Sequence, residues 1–138
     1  MKTTPDAIKP TASFDLADIQ QANDRQNQGA WFDVLHPVTS ENTGMRVKIA
    51  GPDSEQHRQA RIKLQNKLAK FKAGSVTGRE EASIDFLANC ILDWEITEKG
   101  QALPFSHANA CRILSAGTWI RAQIDAFAGD RSPYFEAH

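Results

Sequence analysis

Cysteine is scarce in this chain: only Cys90 and Cys111 occur. Two thiols cannot build the disulfide framework of a small secreted domain, so free thiols in a reducing compartment are expected. No apolar run comes near the ~20 residues that span a bilayer, and no membrane partner is expected. The opening stretch MKTTPDAIKPTASFD has no apolar core of the kind a secretory signal needs. Positive charge is not in excess, since 16 Lys and Arg face 17 Asp and Glu for a net charge of −1. There is no internal repeat and no low-complexity tract, which excludes a solenoid.

Catalytic signatures are missing as well. No G-x-S-x-G elbow surrounds any serine, and no CxxC or HxxxH pair is present. The stretch GSVTGR at 74–79 lacks the Gly-Lys-Ser/Thr ending of a phosphate-binding loop. Carboxylates are scattered, mostly near helix starts, and mark no acid/base pair. These absences point away from an enzyme, and no cofactor or metal is expected.

What is present is an ordinary globular composition of 41% hydrophobic and 24% charged residues in 138 positions. That length suits one domain with a real core. The polar stretch 1–13, with its two prolines, is expected to be a disordered tail, and 14–138 a single domain. Charge is uneven along it. Residues 1–55 carry eight acids and five Lys/Arg, and residues 80–138 carry nine acids and four Lys/Arg. Between them, residues 56–79 carry seven Lys/Arg and no acid. An acidic chain therefore wears one basic band, the mark of a charged partner surface or of an internal partner for the acidic remainder.

The pattern of residues sets the elements. FDLADIQQANDRQNQGA reads as a short helix capped by Asp15 and ending near Gly29. AWFDVLHPVTSENTGMRVKIAG reads as a β-hairpin. Its first strand covers Ala30–His36, and Met45, Val47 and Ile49 alternate with Arg46, Lys48 and Ala50 in the second. Gly44 is free to take the positive φ of the link. A lone hairpin is marginal in water, so it must pack on a helix or pair with another edge.

Residues 51–74 follow as a basic helix, with Asp53 and Gln56 placed like a capping box and Gly74 as its end. Ala60, Leu64, Leu68 and Phe71 fall on one stripe, and Ile62 lies nearly opposite. SVTGREEASIDFLANCILDW predicts a central helix over 75–94, capped by Thr77 with Glu80. Its apolar face would be Ile84, Leu87, Cys90, Ile91 and Trp94. A turn around Lys99-Gly100 leads to two further helices, one opened by Ser106 and ending at Gly117, the other opened by Thr118 with Ile120, Ile124 and Phe127 inside. The fold class expected is α+β: an N-terminal hairpin or small antiparallel sheet packed against four to five helices.

The stretch ALPFSHANACRILSAG, 102–117, gathers a Ser, a His and a Cys. Ser106 sits where a helix N-cap belongs, which explains it without catalysis. His107 and Cys111 are four apart and share a helix face, enough for two metal positions. A closed zinc site needs about four ligands, and Cys90 would join them only through the tertiary fold. The basic helix bears on nucleic acid too, yet its one aromatic, Phe71, belongs to the core stripe, so base stacking is unsupported.

Taken in order, these segments resemble the tail-assembly chaperones of long-tailed phages and phage-like elements. The resemblance lies in GAWFDVLHPVTSENTGMRVKIAGPDS, the basic helix, LANCILDW, GQALPFSHANACRIL and WIRAQIDAFAGDRSPYF. It spans roughly residues 14–135, with LPFS-xx-NA and WIRAQI the most distinctive pieces. Where relatives often have Gly-Trp-x-Gly, this chain has Asp93-Trp94-Glu95-Ile96, so the turn there is expected to differ.

The resemblance implies a non-enzymatic factor that binds the tape-measure protein and keeps it soluble while tube subunits assemble. It would act in the host cell cytoplasm and be absent from the mature virion. The tail tube protein and further copies of the chain are secondary partners. Ile62, Lys63, Lys67 and Lys70 of the basic band, and Leu16 and Ile19 of the first helix, are the candidate contact residues. The rivals are a structural or connector component retained in the virion, and a small nucleic-acid-binding regulator using residues 56–79.

Overall fold

The computed structural model describes residues 14–71 and 75–135. The expected tail at 1–13 lies outside them, as does Gly74, but the basic helix expected to run to Gly74 already ends at Leu68 with Ala69 as its C-cap. The fold class is α+β, as expected. In chain order the elements are α1 (Leu16–Gln28), β1 (Ala30–Leu35), β2 (Asn42–Ile49), α2 (Glu55–Leu68), α3 (Val76–Cys90), β3 (Ile91–Glu95), β4 (Thr97–Glu98), β5 (Gln101–Ala102), α4 (His107–Ala116), α5 (Thr118–Ala128) and a 3-10 turn at Ser132–Tyr134.

Asp15 caps α1 as expected, accepting from the Asp18 amide while Asp18 reaches back to the Asp15 amide. Gly29 ends the helix at a φ of 83°. A Cβ there would stand 2.6 Å from Leu92 and 3.0 Å from the Ile49 carbonyl, so backbone freedom and tight packing both call for glycine. The hairpin forms antiparallel, with Phe32 opposite Val47 and Ala30 opposite Ile49. Gly44 takes a φ of 87° but inside β2, and in the link itself it is Ser40 that has a positive φ, 63°. Val34, Val47 and Ile49 are fully buried. On the opposite face Asp33, Arg46 and Glu95 line up across three strands, and the Arg46 guanidinium lies over the Trp31 ring.

The third strand corrects the expected central helix. That helix stops at Cys90, and Ile91–Glu95 pairs antiparallel with β2, placing Trp94 opposite Val47. The helix passes straight into the strand, and the Cys90 carbonyl accepts from the Ala50 amide at 3.0 Å. Ile91 and Trp94 do fall on helical spacing with Leu87, but the open edge of β2 offers a full ladder to a branched and aromatic run. Both Leu87 and Trp94 are buried. The Trp94 indole N–H donates to the Leu103 carbonyl, and its ring meets Phe105 edge-on.

Two caps also differ. Ser54, not Asp53, caps α2 by accepting from the His57 amide, because Asp53 is engaged by Gln26 and Arg131. Ser75, not Thr77, caps α3, and Glu80 instead meets Arg121 at 3.0 Å. Lys99 and Gly100 both take left-handed φ values, the two-residue turn that a tight hairpin favours. One core joins the inner face of the sheet to Ala60 of α2, Leu87 of α3, Leu114 of α4 and Ile124 of α5.

Candidate functional site

The basic helix α2 has two unlike ends. At its start Ser54 and His57 are buried. The Gln26 side chain accepts from the Asp53 amide at 2.6 Å and donates to the Asp53 carboxylate at 3.2 Å. Arg131 grips the same carboxylate through two hydrogen bonds of 2.7 and 2.9 Å. The Arg131 hydrogen bonds are the main reason the Asp53 carboxyl titrates below its usual range. Burial pushes the His57 imidazole down, and the nearby Arg61 cation adds to it. The His57 ring stands edge-on to Phe86.

At the other end the chain opens to solvent. The expected apolar stripe fades there: Ala60 is buried, Leu64 is half-buried and Leu68 is exposed, because the helix ends at Leu68 and Phe71 lies beyond it. Lys63, Lys67, Lys70 and Phe71 line one groove of about 430 Å³ with Asp85 of α3 on its wall. Phe71 is held there by close packing: a Cβ on Gly78 would come within 2.7 Å of its ring. The Lys67 ammonium lies 4.0 Å from the Asp85 carboxylate.

Three of the expected contact residues, Lys63, Lys67 and Lys70, are thus brought together. Ile62 is exposed, as expected, but does not line that groove. Leu16 and Ile19 are exposed on α1, 67% and 51% open, beside an equally open Phe14 that meets Phe135. The sequence reading did not single out Phe14 as a contact residue or Asp85 as part of the groove. Phe14 was legible as an apolar residue ahead of the Asp15 cap. Asp85 carried no local signal, since only the packing of α3 against α2 brings it to the lysines.

Ser106 is the N-cap of α4, accepting from the Asn109 amide at 3.1 Å, as expected. The residue that joins His107 and Cys111 is Asp85, with its carboxylate 2.7 Å from His107 Nε2. Cys90, which the sequence offered for that place, is fully buried in the core instead. Burial pushes its thiol up to about 12, and burial with the Asp85 charge pushes the Cys111 thiol up as well. Neither is a thiolate at neutral pH, so neither is a ready nucleophile.

Among the described residues no helix is long and apolar enough to cross a membrane. Compared with protein families, curated proteins and solved structures, the chain matches none.

Proposed function

We propose that this protein is a non-enzymatic tail-assembly chaperone that binds a phage tape-measure protein and keeps it soluble during tail tube assembly. The reading rests on the resemblance of residues 14–135, and the observation that carries it structurally is the lysine groove. A tape-measure chain is long and helical, with apolar stripes that aggregate unless covered. An amphipathic helix docks by laying its apolar face in a groove and its charges along the rim. Lys63, Lys67 and Lys70 around the Phe71 ring offer that combination to a helix with acidic flanks. Leu16 and Ile19, with Phe14, supply a second exposed apolar surface.

Nucleic acid is the weaker reading. Among the described residues the groove has one aromatic and carries the Asp85 carboxylate on its wall, which repels phosphate, and affinity built on lysines alone falls steeply with salt.

Co-expression tests the proposal. On this reading a tape-measure gene should lie immediately downstream, and its product should move into the soluble fraction as a complex with this protein. Purified particles should contain the tape measure and little or none of this chain. A stoichiometric presence in mature tails would favour a structural tail component and reject the chaperone reading.

A further inference from the structure

Asp85 on α3 and His107 and Cys111 on α4 present a carboxylate oxygen, an imidazole nitrogen and a sulfur that all lie within 4.8 Å of one another. We propose that these side chains form a zinc(II) site that clips α3 to α4 and leaves one coordination position open.

The donor set selects the metal. Zinc takes nitrogen, sulfur and carboxylate oxygen together in tetrahedral sites, whereas magnesium and calcium take oxygen alone. Bonds of about 2.0–2.3 Å put tetrahedral ligand atoms about 3.3–3.8 Å apart. The His107–Asp85 contact of 2.7 Å has to open slightly and Cys111 has to close in. Both movements are small rotations of side chains that are exposed or half-buried. His107 and Cys111 are one helical turn apart on the same face, so α4 supplies two ligands without backbone change. Cys111 loses its proton to solvent on binding, and its thiolate and the Asp85 carboxylate together neutralise the ion.

An outer partner is in place as well. The Asn89 amide donates to Asp85 Oδ2 at 3.3 Å, fixing the carboxylate as zinc ligands commonly are. Lys67 lies 4.0 Å from the same oxygen, which leaves Oδ1, the oxygen facing His107, for the metal. A shallow depression along Ala108, Cys111, Arg112 and Ser115 gives the ion a route in. It also leaves room for a water or a donor from a partner in the fourth position.

Cobalt(II) is the probe. The full chain, stripped with chelator and kept reduced, should take up a single equivalent of cobalt with a thiolate-to-cobalt charge-transfer band, and zinc should bleach it. Zinc should also raise the melting temperature. Cys111→Ser should abolish the band. His107→Ala and Asp85→Asn should each weaken zinc binding by at least about tenfold, and Asn89→Ala by about tenfold. His107 is exposed, so His107→Ala keeps the test valid should another variant fail to fold. No charge-transfer band in the wild-type chain, survival of the band in Cys111→Ser, or unchanged zinc affinity in His107→Ala would each overturn the proposal.

Discussion

The two ends of helix α2 are used in opposite ways. Its start is tied into the molecule from three sides: by Gln26 of α1, by Arg131 near the C-terminus, and by the buried His57 against Phe86. Its end carries Lys63 and Lys67, which with Lys70 just beyond the helix line a groove, and Leu68 there is exposed. A helix anchored at one end can present the other at a fixed position without losing side-chain freedom there. The energetic signature follows: substitutions at the start should cost stability, and substitutions at the end should cost binding.

The largest effect belongs to the core beneath both ends. Leu87 is 3% exposed, and Leu87→Ala should destabilise the domain by about 2–5 kcal/mol, measured by urea unfolding. A loss well under 1 kcal/mol would mean that α3 does not carry the packing on which the comparison stands. Next comes Gln26→Ala at the anchored end. It leaves the Asp53 amide without its acceptor and should cost about 1–3 kcal/mol. Tyr134 secures the same seam, donating its hydroxyl to the Ile49 carbonyl while its own carbonyl accepts from Arg25.

A pH effect sharpens the contrast further. The buried His57 binds its proton less readily in the folded chain than in the unfolded one. The unfolded state therefore holds more protons below about pH 6.5, and stability falls as the pH drops from there toward the folded value. Asp53 is depressed too, but its contribution persists until the pH falls through the carboxylate range. His57→Leu should flatten the loss below about pH 6.5 and leave the carboxylate-range loss in place. An unchanged profile in that variant would show that the start of α2 does not bury a neutral imidazole. The smallest stability effect is expected at the open end, where Lys63→Glu or Lys70→Glu should change unfolding by no more than about 0.5 kcal/mol.

Much of this architecture was legible because single residues carried local instructions. Asp15, Gly29, Gly44, Lys99-Gly100 and Ser106 each act on the few residues around them, and each does what its chemistry dictates. Local reading fails where a distant partner competes. Asp53 looked like a cap until Arg131 and Gln26 claimed it, and Ser54 took the role. Ile91–Trp94 looked helical because four residues cannot separate the two periods, and the edge of β2 decided. In the candidate site the lysines of one helix were readable from their spacing. Asp85 was not, because its place between the lysine groove and the His107–Cys111 pair exists only once α3 packs against α2 and α4.

The most direct test joins the two ends in one variant. Lys63, Lys67 and Lys70 are reversed together to glutamate, and both the unfolding free energy and the affinity for the proposed tape-measure partner are measured on that chain. The account predicts near wild-type unfolding and an affinity at least about tenfold weaker, since like charges placed across an interface cost several kcal/mol. Unchanged affinity in a variant that folds normally would contradict it, for the open end of α2 would then not be the surface that binds.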